Sequence, residues 1–144
     1  MALTQSIDLS LLGDKRLERQ LKRLPVIAQR KVVRRAMRDA ARPVLAEAQR
    51  LCPVDSGAMR ASLKIRAAGA KAGMGVVVQT GSREELGIPA DQPFYYPFAV
   101  EYGHRNAAAH PFMRPAMDNM RPTAMAIVAR VVRERLPIEA ARIK

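Results

Sequence analysis

Tryptophan is absent from this 144-residue chain, cysteine occurs once, histidine twice, and phenylalanine and tyrosine together make up only 4% of it. One cysteine cannot build an internal disulfide framework, which points to a reducing compartment. Standing at the end of an apolar helical run, Cys52 reads as a core residue. The two histidines, His104 and His110, are six positions apart. That spacing fits neither the i, i+4 ligand pair of a helical zinc site nor a closed ligand set, so no metal and no other cofactor is expected. Aromatic residues are too few for a base-stacking surface, and Tyr95, Tyr96 and Phe98 lie beside prolines rather than among basic residues. Sequence-specific base readout is therefore not expected. Acidic side chains are also scarce, 13 against 25 Lys plus Arg, leaving a formal charge of +12. That excess favours acidic partners or a polyanion. No stretch reaches the roughly 18 uninterrupted apolar residues of a membrane span, so a soluble chain with no membrane contact is expected. The opening MALTQSIDLSLLGDKR has no basic segment followed by an apolar one and a small-residue cleavage site. A secretory leader is not expected.

What is present suits a folded domain. The apolar fraction of 49% at this length predicts a single domain over residues 1–144. Its parts differ in charge: +7 over residues 1–51, +1 over 52–111 and +4 over 112–144. The basic ends carry helical periodicity, whereas the centre is rich in Gly, Pro and β-branched residues. The reading is an α+β fold, with a small antiparallel β-sheet packed against long N- and C-terminal amphipathic helices. Residues 1–51 are helical and basic, 52–111 carry strands and loops, 112–137 form the last helix, and 138–144 are a short frayed tail.

Leu17, Leu21 and Leu24 recur at helical spacing, and Pro25 then marks a break or a new first turn. Beyond it, Val33, Met37, Ala40, Ala41, Val44, Ala48 and Leu51 form one stripe, while Arg30, Lys31, Arg34, Arg35, Arg38 and Arg42 lie mostly off it. Pro43 interrupts the pattern and predicts a kink or a break near Ala40. Cys52-Pro53 closes the run, and Asp55 is placed to cap the turn that starts at Gly57. Leu63 and Ile65 alternate with Lys64 and Arg66, Ala68 to Gly73 can turn the chain, and Gly75 to Thr80 can return as a second strand. The segment predicts a β-hairpin. Residues 81–93 read as an exposed loop able to move on assembly. Pro97 opens a short helix that Gly103 is placed to end in the left-handed conformation. Pro115 suits the first turn of a final helix whose apolar face is Met117, Met120, Ala124, Ile127, Val128, Val131 and Val132, bent at Pro122.

Catalytic patterns are missing. No Ser-His-Asp spacing, Walker loop or carboxylate pair stands out, and a thiol pair of Cys52 with a histidine lacks an oxyanion donor cluster. Glu101 as a general base would complete a hydrolase reading with Cys52 and His104, but its bland role is to pair with Arg105 or Arg114 or to cap a loop amide. An enzyme is not expected.

Three blocks carry a resemblance. They are Pro53-Val54-Asp55-Ser56-Gly57-Ala58-Met59-Arg60-Ala61-Ser62-Leu63, then Tyr96-Pro97-Phe98-Ala99-Val100-Glu101-Tyr102-Gly103, then His110-Pro111-Phe112-Met113-Arg114-Pro115-Ala116-Met117. In this order they resemble the signature blocks of the gp-ten-like tail-completion family of lambdoid and HK-type long-tailed phages. The resemblance spans about residues 36–135. Ser56 stands where that family has Thr, Met59 where it has Leu, and His104 where Thr follows the glycine. Serine keeps the capping oxygen and methionine the apolar volume, so only His104 alters the local chemistry.

The resemblance implies a structural virion protein at the head–tail joint, in the neck or at the capsid-proximal end of the tail, assembled in the host cytoplasm. It implies a homo-oligomeric ring, expected six-fold to match tail symmetry, which meets the connector or stopper and the tail-terminator or tail-tube proteins and lines the DNA path. The motif residues Pro53, Asp55, Ser56, Gly57, Arg60, Ser62, Glu101, Tyr102, Gly103, Pro111, Phe112, Arg114 and Pro115 are then structural, with Glu101 and Arg114 an ion pair and Phe112 read as a core residue, a pocket on a neighbouring copy being the alternative. Arg30, Lys31, Arg34, Arg35, Arg38 and Arg42 would face either genomic DNA, without sequence preference, or an acidic partner. The rival reading is a basic nucleic-acid-binding accessory protein.

Overall fold

The computed structural model describes residues 4–7, 14–68 and 75–143. Helix α1 (Lys15–Lys22) starts where the Asp14 carboxylate accepts the amide of Leu17 at 3.0 Å, and it buries Leu17 and Leu21. Leu24 is buried just beyond it. Pro25 stands at the N-cap of α2 (Val26–Leu51), so it opens a new helix. Gln29 closes the joint by donating to the carbonyl of Leu24 at 2.7 Å.

The buried face of α2 is Val32, Ala36, Met37, Ala40, Ala41, Val44, Glu47 and Ala48. Two expectations shift. Val32 and Ala36 are buried while Val33 and Leu51 are only half-buried, and a carboxylate, Glu47, belongs to the buried set. The long helix also does not break at Pro43. A proline removes one backbone donor, but the packing of the flanking turns keeps both halves helical.

α2 lies antiparallel to α5 (Met113–Arg142), since Lys31 near the start of α2 reaches Glu139 near the end of α5, and Glu47 near the end of α2 accepts from Asn119 near the start of α5. The interface between these two helices is the main body of the core. α5 begins at Met113, two residues before Pro115, and runs through both Pro122 and Pro137. The two inner prolines are on the exposed side, where the carbonyls they orphan can be hydrated. The stretch expected to fray, 138–144, is helical to Arg142 and contributes buried Glu139, held by Lys31 at 3.2 Å and Arg142 at 3.1 Å.

Between the long helices the chain forms α3 (Ala58–Ser62), β2 (Lys64–Ala67), β3 (Val76–Gln79) and α4 (Tyr96–Tyr102). β2 and β3 are the expected antiparallel hairpin, with Ile65 opposite Val78. Its turn falls outside the described residues except for Ala68, whose amide donates to Gly75 at 2.8 Å. The sheet gains a third strand, β1 (Thr4–Ile7), which pairs antiparallel with the other edge of β3 to give the order β1-β3-β2. The sequence Thr-Gln-Ser-Ile carries no strong strand signal; pairing follows from the open hydrogen-bonding edge that β3 offers. Val76, Val77 and Val78 are all buried in the central strand, which packs on α2.

The 81–93 segment is braced. Arg83 donates to the carbonyls of Gln92 and Pro93 at 2.5 and 3.0 Å, Lys64 pairs with Glu85, and Ile88 donates back to Arg83 at 2.8 Å.

Because Glu139 is buried and doubly paired, deleting residues 138–144 should lower stability by about 1–3 kcal/mol, the cost of removing a charged hydrogen-bond network. Urea unfolding of the truncated and full chains measures it; equal midpoints would show that the last turns contribute nothing.

Candidate functional site

The three sequence blocks meet around α4. The last turn of α4 carries Glu101, which is fully buried. One of its oxygens accepts the amides of Phe112 and Met113 at 2.8 and 2.9 Å, and the other accepts the amide of Arg114 at 3.0 Å. α5 has no side-chain cap of its own, so Glu101 caps it from another element. A carboxylate at this place satisfies three orphan donors and meets the positive end of the helix dipole. The Arg114 guanidinium adds a contact to Glu101 at 3.2 Å and donates to its backbone carbonyl at 3.3 Å. The expected Glu101–Arg114 ion pair is present, and the three amide contacts make it a junction between two helices. Burial pushes the Glu101 carboxyl up, but the three amides and Arg114 outweigh it and hold the group below its ordinary value of 4.5.

Gly103 leaves α4 at φ 75° and ψ 171°, a positive-φ extended conformation and not the left-handed helical one expected. A Cβ there would stand 2.9 Å from the amide nitrogen of Ala109. The close approach lets His104 and Ala107 form a small bridge, and lets His110 donate to Val100 at 2.7 Å, which returns the chain to Phe112. Phe112 is fully buried, as expected of a core residue. Pro111 is exposed, while Pro115 occupies the third position of α5. Tyr102 is half exposed, stacked on Phe98 with centroids 6.0 Å apart and covered by the Arg114 guanidinium at 4.8 Å.

The first block reaches the same place from the other side. Gly57 turns with φ 81° and ψ −7°, and it is the Ser56 hydroxyl that accepts the Ala58 amide, at 3.3 Å. Asp55, expected to cap that turn, is exposed instead. Arg60 donates to the carbonyl of Cys52 at 3.2 Å. The Ser62 hydroxyl donates to Met59 at 2.7 Å and accepts the Gly81 amide at 3.0 Å, and a Cβ at Gly81 would lie 2.7 Å from that of Ser62. Pro53 to Met59, with Leu86 from the braced loop and Tyr96 and Val100 from α4, line a cleft of about 460 Å³. Tyr95 ties the region to the sheet: its hydroxyl donates to Gly81 at 2.7 Å and meets the Thr80 hydroxyl at 2.6 Å. No sequence signal marks Thr80, Gly81 or Tyr95 as a group, because their positions are joined only in the fold.

Other expected groupings do not form one site. Cys52 is buried, and burial pushes its thiol above the ordinary value. Glu101 is consumed by amides, and His104 is exposed, packed edge-on against Phe94 at 5.6 Å, with its Nδ1 accepting from Asn106. No hydrogen bond among the described residues links Cys52, Glu101 and His104 to one another. Among the described residues no group of three or more His, Cys, Asp or Glu side chains is arranged to hold a metal ion. Arg30, Lys31, Arg34, Arg35, Arg38 and Arg42 are all exposed and share the outer face of α2, apart from the α4 junction.

Residues 15–104 match the family of the bacteriophage HK97-gp10-like tail component. The chain belongs to this family. The matched region starts earlier than the resemblance in the three blocks suggests, taking in α1 and the whole of α2, and it ends before the third block. No curated protein and no solved structure matches the chain. Within this tail component, the third block is tied to the family region by Glu101, which lies inside the match and holds the start of α5 outside it. Among the described residues no helix is long and apolar enough to cross a membrane.

Replacing Glu101 by Gln keeps the shape but sets an NH₂ group against backbone donors. The variant should lose about 2–4 kcal/mol. Since the folded carboxyl titrates below the unfolded one, its contribution is complete above pH 4.5 and fades as pH falls through the lower folded value. Acid unfolding curves should therefore be shallower for Glu101→Gln than for the parent chain; identical slopes would remove Glu101 from the account.

Proposed function

We propose that this tail component is a structural head–tail joining protein, closing as a homo-oligomeric ring at the neck or capsid-proximal end of the tail. Its neighbours would be the connector or stopper on one side and the tail-terminator or tail-tube proteins on the other, joined after synthesis in the host cytoplasm. The role is mechanical, with no bond made or broken. Six-fold closure matches the symmetry expected of the tail.

The observation that carries this reading is that apolar side chains are exposed at two unlike places. At one end of α2, Val26 and Ile27 are 60% and 83% exposed, beside a groove where α1 meets the last turns of α5. At the other end, beyond Leu51, Val54 is exposed on the first-block turn and Phe94 and Tyr102 on the α4 junction, each by half or more. The length of α2, about 39 Å at 1.5 Å per residue, separates the ends of the helix that these two groups flank. A closed ring needs two different complementary surfaces on each copy, and large exposed apolar groups are what such contacts bury. The braced junction around Glu101 would hold the second surface rigid and reduce the ordering cost of association. The rival reading, a free nucleic-acid-binding accessory protein, accounts for the charge but leaves both apolar ends unexplained.

Two surface variants test head-to-tail closure. Ile27→Asp places an acid in the first turn of α2, where the helix dipole favours it, and Phe94→Asp alters a side chain that is half exposed. Each alone should block ring formation in light scattering and leave purified heads and tails unjoined. Mixed together, they should form dimers through the one intact pair of surfaces and stop there. Rings formed by either variant, or no dimer from the mixture, would refute closure through these two ends.

A further inference from the structure

The outer face of α2 presents six cations in an arc of roughly 140°, given 100° per residue, around a shallow cleft of about 640 Å³. They are not equivalent. Arg35 and Arg42 both reach the Asp39 carboxylate, at 3.0 and 3.6 Å, and Lys31 is held by Glu139 at 3.2 Å. Arg30, Arg34 and Arg38 form no ion pair among the described residues. These three recur every fourth residue, so they rise in steps of about 6 Å along one side of the helix.

We infer that this face is a phosphodiester-binding surface for duplex DNA, with Arg30, Arg34 and Arg38 as its contacts to successive phosphates. A regular row of uncommitted guanidiniums fits a regular row of anions; guanidinium is suited to phosphate oxygens and keeps its charge at every working pH. An acidic protein is the poorer fit. Protein interfaces bury an apolar and aromatic centre with charges at the rim, whereas among the described residues the only large apolar side chain lining this cleft is Ile27, at its end. The exposed aromatic residues Phe94 and Tyr102 belong to the α4 junction instead. With few aromatics in the chain and none lining this face, binding is to the backbone and not to bases. Asp39 sets the strength of the surface, because it sequesters two of the six cations. The assignment stands on this face alone and does not require ring closure.

The full chain and a short random-sequence duplex test it by affinity measured against salt concentration. The triple variant R30Q/R34Q/R38Q should weaken binding and reduce the slope of log affinity against log salt by about 3, near 0.9 for each phosphate no longer neutralised. D39N, which frees Arg35 and Arg42, should tighten binding and steepen the slope. A poly-glutamate chain of similar charge should bind more weakly than the duplex. Unchanged duplex affinity in the triple variant would overturn the proposal. So would poly-glutamate binding that is tighter than duplex and is abolished in that variant, which would make the face a seat for an acidic protein. All three substituted side chains are exposed, and an unchanged circular dichroism melt confirms that the fold survives.

Discussion

The junction depends on a carboxylate with no access to water. Glu101 sits at the end of a seven-residue helix and accepts the first amides of a thirty-residue one. Neither helix would hold that geometry alone: α4 is too short to be stable by itself, and α5 begins without a local cap. Joining them fixes where α5 points, and α5 in turn forms one side of the main core interface by lying along α2. The loop 103–112 can return within hydrogen-bonding distance only because Gly103 has no Cβ to strike Ala109.

The same economy governs charge. Among the described residues three acidic side chains, Glu47, Glu101 and Glu139, are buried, and each faces a basic partner: Arg50 for the first, Arg114 for the second, Lys31 and Arg142 for the third. For Glu47, hydrogen bonds from Arg50 and Asn119 depress the carboxyl to about 2. Acids thus work as internal fasteners between elements, and much of the cationic excess faces water. A basic exterior is a consequence of how few carboxylates there are and of where the fold places them.

Much of the fold is legible in the sequence for local reasons. The periodicity of α2 and α5, the Cys52-Pro53 stop and the β2–β3 hairpin each depend on neighbours a few residues away, and each is present. The departures share a cause. Pro43, Pro122 and Pro137 look like breakers in isolation, yet helix packing carries the chain through all of them. The strand β1 has no alternation to reveal it and is formed by an edge supplied more than 60 residues later. By residue type Asp55 is as good a local cap as Ser56, but the turn's geometry selects the serine.

The order of residues is enough to define the helical and strand-bearing segments, the excess of positive charge, and the first two blocks, which lie in the region that matches a phage tail component, because periodicity, composition and motif order are written in neighbouring residues. It takes the packed fold to bring those blocks together on α4, to set Glu101 as the cap of a helix 12 residues away, and to leave certain arginines along α2 without an ion-pair partner among the described residues. Such facts depend on donors and acceptors brought together across long separations, and a carboxylate's partner is whatever the packed core leaves within 3 Å of it.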